Sequence, residues 1–217
     1  MYSKRSMNKM MFNEKYGLQK AVLSRTKTKT RRNGNKVAKK YAYYCVANEM
    51  EGNEDYLSLE EYAISKSPFK VGDVVAIAQS YESIYNELEE RFGNGKANEW
   101  WCDFFDKYRT NPAETSGYRN KMYVKAELML HNIRITEVMF EQLKCISDEE
   151  CLEEGIYRRD DVIDCNMNPV VRYQYYGTPE MFFTPRDAFA SLIDKISGKG
   201  TWEKNEYVYV YGIERVD

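Results

Sequence analysis

Phe69-Lys70-Val71-Gly72-Asp73 runs directly into Val74-Val75-Ala76-Ile77-Ala78. The apolar run is too short for a buried helix, it is partly β-branched, and Gly-Asp punctuates its start. It therefore reads as a buried strand, delivered by a loop that opens at Ser67-Pro68. Outward from it, Met122 to Val138 carries strand-like alternation, clearest at Ile133, Ile135 and Val138. Tyr207 to Val216 alternates and gives a last strand, and Ala42 to Ala47 reads as another. The helices fall between these. Met11 to Ser24 places Phe12, Leu18, Ala21 and Val22 near one face, and Tyr81 to Phe92 is an acidic helix. Ser147-Asp148-Glu149-Glu150 is a capping box opening a short helix that Gly155 closes. Thr184-Pro185-Arg186-Asp187 starts a helix with Thr as N-cap, Pro first and Asp third, ending at Gly198.

Asn94 to Tyr118 and Tyr157 to Phe183 read as irregular insertions, the first rich in Asn and Gly and holding Trp100 and Trp101. Strands and helices do not alternate as repeated βαβ units. The expected fold is an α+β domain built on a small, closed β-barrel with flanking helices. It is one domain over residues 1–217, with loop insertions at about 82–120 and 156–183.

Composition narrows the function. The chain has 43% hydrophobic residues, enough for a core, and 19 tyrosines, a residue suited to half-wet surfaces. No run of about 18 apolar residues occurs, so no membrane partner is expected, and the basic N-terminus lacks the apolar core of a secretory signal. Five scattered cysteines without a Cys-x-x-Cys pair imply a reduced, cytoplasmic protein. His131 is the only histidine, which removes His-rich zinc sites and most metal hydrolases; no metal or cofactor is expected. His131 itself reads as a strand-end or core residue.

Charge is unevenly spread. Met1 to Tyr44 holds 13 Lys or Arg against one acid, Glu14, a net of +12 in a chain of net −2, so residues 45–217 carry −14. Such a segment is the usual electrostatic footprint of a phosphate-bearing partner. At its centre stands Arg25-Thr26-Lys27-Thr28-Lys29-Thr30-Arg31-Arg32.

Four segments, in order, resemble the ASCH domain, a branch of the PUA-like superfamily: Lys15–Arg32, Phe69–Val74, Ile133–Gly155 and Tyr207–Val216. The insertion-bearing form is similar to ASCH proteins of bacteriophages and prophages. The resemblance implies a PUA-like barrel that binds RNA or a modified nucleotide in a cleft. One enzymatic branch deacetylates acetylcytidine with a Gly-x-Lys-x-x-Thr-x-Arg pattern plus a later Glu. Lys27, Thr30 and Arg32 match that pattern, Glu154 stands where the Glu belongs, and Arg25 replaces the Gly.

Read as chemistry, Lys27 lies among Arg25, Lys29, Arg31 and Arg32, so its pKa is expected to fall and let it take a proton from the Thr30 hydroxyl. Glu154 would protonate a leaving amine, and Arg32 would hold a carbonyl or phosphate oxygen. Three readings of these residues stand open: a Lys27–Glu154 ion pair bracing the fold, contacts to nucleic acid, and amidohydrolase catalysis. For a nucleic-acid partner, Arg25, Lys29, Arg31 and Arg32 are the phosphate contacts. Trp101, with Trp100 and Tyr175-Tyr176, offers stacking surface, although loop aromatics more often anchor the loop. A further reading is an accessory mobile-element protein that binds a host protein through its insertions. Glu87–Glu90 and Asp148–Glu150 read as exposed helix faces.

Overall fold

The computed structural model describes residues 8–51 and 56–216. Both helices and strands are present, as expected. Seven strands occur among the described residues: β1 Lys9–Met10, β2 Lys29–Asn33, β3 Val74–Ile77, β4 Asn132–Gln142, β5 Tyr157–Ile163, β6 Pro169–Gln174 and β7 Tyr207–Arg215. Five form a mixed sheet in the order β1-β3-β4-β7-β2, and β5-β6 form a second. The helices are α1 Leu18–Leu23, α2 Asn35–Met50, α3 Leu59–Lys66, α4 Tyr81–Phe92, α5 Asn94–Tyr108, α6 Asp148–Glu153, α7 Pro185–Ser197 and α8 Thr201–Lys204. None of the described helices is long and apolar enough to cross a membrane.

The chain groups into two compact units: one comprises the chain up to Phe12, Val74–Ile133 and the chain from Arg215; the other comprises Asn13–Asp73 and Arg134–Glu214. In the first unit β1 pairs parallel with β3, Lys9 opposite Ala76. Its core gathers Ala76, Ala78, Tyr81, Ile84, Phe104, Val124, Ala126 and Met129, with Trp100 and Tyr108 packed against them.

In the second unit β2 pairs antiparallel with β7, Thr30 opposite Tyr211. Val208 to Ile213 is almost wholly buried along β7. The ring of Phe140 lies 5.0 Å from that of Tyr209, and a Cβ at Gly34 would meet Phe140 at 2.4 Å, so that turn admits only glycine without a shift. Helix α7 starts as its sequence dictates: the Thr184 hydroxyl accepts from the Asp187 N–H, and Pro185 opens the first turn. It buries Ala188, Phe189 and Leu192, and the Arg186 guanidinium donates to the carbonyls of Lys144 and Ile146.

Four expectations need correction. The helix expected over Met11–Ser24 is only Leu18–Leu23, because Gly17 adopts φ +65 and starts it late. Residues 42–47 are not a strand but the middle of α2. Their β-favouring Tyr and Val are outweighed by the stack of Tyr41 and Tyr44 on Tyr62 of α3, at 5.6 and 4.6 Å, which needs helical spacing. Residues 94–108 are a regular helix, since Ala97, Trp100, Trp101, Phe104 and Tyr108 recur at helical intervals and turn toward α4. The 156–183 segment contains an ordered β5-β6 hairpin. The capping box at Ser147 forms as read, and a second one, at Ser58–Glu61, opens α3.

Candidate functional site: a buried Lys27–Glu154 pair

Three local features assemble the site within the second unit. The chain leaves α1 through Arg25, at φ +61, and drops Lys27 into the interior, its N–H donating to the Ala21 carbonyl. Thr28 then donates its N–H to the Glu153 carbonyl, 2.9 Å away, which fastens the start of β2 to the end of α6. Strand alternation turns Lys29 and Arg31 to one side and Thr30 and Arg32 to the other. On α6, Glu150, Glu153 and the capping residue Glu154 share a face, as i, i+3 and i+4 positions do. Gly155 follows at φ +102, where a side chain would be strained; its Cβ would also press on Leu18 at 3.2 Å.

The Lys27 ammonium donates to the Glu154 carboxylate at 2.5 Å and to its backbone carbonyl at 2.7 Å. Both residues are buried, 2% and 5% exposed. Arg31 holds the other Glu154 oxygen at 3.1 Å and reaches Glu141 at 2.8 Å and Glu150 at 2.9 Å. Lys29 binds Glu150 at 2.9 Å and lies 3.4 Å from Glu153 and 3.9 Å from Glu137. Three cations of the basic run thus face five carboxylates.

The two lysines respond in opposite ways. Burial pushes the Lys27 pKa below the usual lysine value despite Glu154, and Arg32 and Arg31 push the same way. Burial would also lower Lys29, but the Glu150 and Glu153 carboxylates outweigh it and its pKa rises. Burial lowers the Arg32 pKa as well, against the attraction of Glu154. A buried amine with a weakened hold on its proton, in hydrogen-bond contact with a carboxylate, is an arrangement able to move a proton.

The structure therefore brings together Lys27, Glu154, Lys29 and Arg31, with the half-buried Arg32 close enough to feel Glu154 from the other side of β2. Thr30 is buried but faces away from Lys29 and Arg31, and the Lys27 ammonium donates to Glu154 and not to Thr30. Arg25 is exposed. Trp101 belongs to the first unit, where it packs edge-on against Tyr85 at 5.4 Å and Tyr118 at 6.2 Å; it anchors its segment. Trp100 packs against Tyr81 and Phe104, and Tyr175 is fully buried, which leaves Tyr176, 59% exposed, as the open ring of its pair. Lys4 and Arg5 of the basic stretch lie outside the described residues.

Of the glutamates of this centre, only Glu154 is placed in a site by the sequence; Glu150 reads there as a capping residue on an exposed helix face, and Glu137, Glu141 and Glu153 have no role. Glu150 in particular is not a free helix face, its side chain being 18% exposed and bound by Lys29 and Arg31. The signal available was the i, i+3, i+4 spacing of Glu150, Glu153 and Glu154. No family model, no curated protein and no solved structure matches the chain.

Proposed function

We propose that the chain is an ASCH-type module of the PUA-like kind that binds RNA or a nucleotide, with phosphate contacts supplied by the cationic segment from Arg25 to Lys40. The observation that supports this is how charge divides within the segment. Lys27, Lys29 and Arg31 are occupied by glutamates. Arg25, Lys36, Lys39 and Lys40 are exposed and enter no ion pair among the described residues. Cations without carboxylate partners gain most from phosphate, because contact releases the counterions condensed on the nucleic acid. The five free cysteines fit a reducing compartment such as the cytoplasm. Fluorescence anisotropy with labelled single-stranded RNA between about 50 and 200 mM salt tests the reading: log affinity should fall with log salt, by about 0.7 for each phosphate engaged. A salt-independent affinity, or none at the lowest salt, rejects it.

A second reading rests on the 2.5 Å Lys27–Glu154 contact: an amidohydrolase for acetylcytidine or a similar acylated base. In it Lys27 passes its proton to Glu154, takes the Thr30 proton, and the Thr30 oxygen attacks the acyl carbon while Glu154 protonates the departing amine; water then cleaves the Thr30 ester, releasing acetate and restoring the Thr30 hydroxyl. Arg32 would hold the carbonyl oxygen. The Thr30 hydroxyl must turn toward Lys27 for this chemistry. Incubation with acetylcytidine, followed by chromatography for cytidine and acetate, decides it. Wild type and Arg25→Gly both inert would leave the centre as a binding or bracing element.

A further inference from the structure

The first unit contains a cavity of about 400 Å³, lined among others by Tyr81, Phe104, Tyr108, Thr115, Gly117 and Lys125. Its inner wall is aromatic: Phe104 meets Tyr81 and Tyr108 at centroid distances of 4.9 Å each. Gly117 makes the close approach possible, since a Cβ there would strike the Tyr81 ring at 2.6 Å. Tyr123 and Lys125 are exposed at the mouth.

Three polar groups face this space with capacity to spare. The Lys125 ammonium sits 3.4 Å from the centre of the Tyr108 ring and enters no ion pair among the described residues, although it feels the Glu127 carboxylate, which the Tyr108 hydroxyl binds at 3.0 Å. The Tyr81 hydroxyl accepts from the Lys125 backbone N–H at 3.1 Å, which leaves its own proton to donate; burial raises its pKa and keeps that proton in place. The Thr115 hydroxyl donates to the Pro112 carbonyl, leaving its oxygen as an acceptor.

We propose that this cavity is a binding site for a small planar aromatic molecule carrying an anionic group. The ring would lie against Phe104 and Tyr108, and the anion would meet Lys125 with help from the Tyr81 O–H. A cavity of this size suits a single ring system with its acid, and rings plus a few placed polar groups are what such sites require. A carboxylate and a phosphate present the same chemistry to Lys125, so the test carries both.

Titrations of the full chain, followed by calorimetry and by Trp100 emission, would use phenol, benzoate, inorganic phosphate and a nucleoside 5′-monophosphate. Trp100 reports because its ring lies 5.9 Å from Tyr81. Either benzoate or the nucleotide should bind at least about tenfold more tightly than both phenol and phosphate, and which of the two wins names the source. Lys125→Met should remove most of that advantage and leave phenol unchanged. Ser116→Trp, an exposed substitution that fills the mouth, should abolish binding of every probe while circular dichroism stays that of wild type. Equal binding of phenol and the ring-bearing acids, an unaffected Lys125→Met, or no binding of any probe overturns the proposal.

Discussion

Two basic stretches lie side by side in this chain and meet opposite fates. Lys27, Lys29 and Arg31 are drawn inward and bound by glutamates of β4 and α6. Lys36, Lys39 and Lys40, one turn of chain later, stand on a helix that buries none of its residues and bind no acid among the described residues. Both are dense in Lys or Arg and contain no acid. The difference comes from what lies across from each: β2 is paired to β7 and faces α6, while the lysine-bearing half of α2 faces water. Formal charge in a sequence is therefore not surface charge. Three cations of the apparent basic face, Lys27, Lys29 and Arg31, are spent on holding the fold together.

The sharpest way to break this comparison is to remove an acid from the buried stretch. Glu154→Ala leaves Lys27 and part of Arg31 buried without a counter-charge, and loss of one partner of such a pair typically costs about 3–5 kcal/mol. Urea denaturation should show a loss of that size. Lys27→Met combined with Glu154→Leu should recover most of it, since an apolar pair of similar volume avoids the desolvation of both charges. Lys40→Ala should change stability by less than about 0.5 kcal/mol. If Glu154→Ala costs no more than Lys40→Ala, the two stretches do not differ as described.

Nucleic-acid binding sharpens the comparison from the other side. Replacing Lys36, Lys39 and Lys40 together by Glu should weaken single-stranded RNA binding by about tenfold or more at low salt and reduce the log–log salt slope by about 2. Lys29→Gln should leave that slope unchanged, because Lys29 already serves Glu150. Equal losses in both variants would mean that the buried cations also reach phosphate.

What the sequence made legible follows the same division between local and distant causes. Strands β3 and β7, the α6 capping box and the α7 start were readable because each is decided by its own residues. Helix α2 was not: Tyr41 and Tyr44 find their reason in Tyr62, on a different element. The Lys27–Glu154 meeting was expected from a resemblance and not from spacing, since 127 residues separate the two. The direction of the Lys27 pKa was expected from its cationic neighbours; burial turned out to be the larger cause. The orientation of Thr30 could not be read, because it depends on the register of β2 against β7.

Another carboxylate, in the first unit, tests whether paired acids govern stability beyond the Lys27 centre. Glu87 accepts from Gln79 at 2.7 Å and Arg91 at 2.8 Å, and meets the Nε2 of His131 at 2.7 Å. Arg215 can only donate to the His131 Nδ1, so the Nε2 carries the proton and donates to Glu87. That bond, first among the causes, holds the Glu87 pKa at about 2 against an ordinary 4.5. Because the folded value lies below the unfolded one, the stabilisation is complete above about pH 4.5 and is lost as the pH falls toward 2. Allowing for solvent screening, about 1–2 kcal/mol should disappear across that window. Thermal melts of Glu87→Gln should show a shallower acid limb than wild type; identical limbs would remove Glu87 from the account.

The smallest effect is expected at the hinge between the helix and the buried stretch. Arg25 follows α1 in the left-handed region, φ +61, with its N–H on the Val22 carbonyl. A side chain there costs about 1 kcal/mol or more, and glycine is the residue that ends helices this way without strain. Glycine also loses more freedom on folding, by about 0.5–1 kcal/mol, so the two effects largely offset. Arg25→Gly should therefore stabilise by a few tenths up to about 1 kcal/mol, whereas Arg25→Ala, which keeps the strain, should gain nothing. The same substitution removes one exposed cation. If Arg25 belongs with the solvent-facing lysines, the RNA salt slope should fall by about 0.7 in Arg25→Gly and in Arg25→Ala alike. A gain in stability with an unchanged slope would assign Arg25 to the backbone turn alone and confine the phosphate contacts to α2.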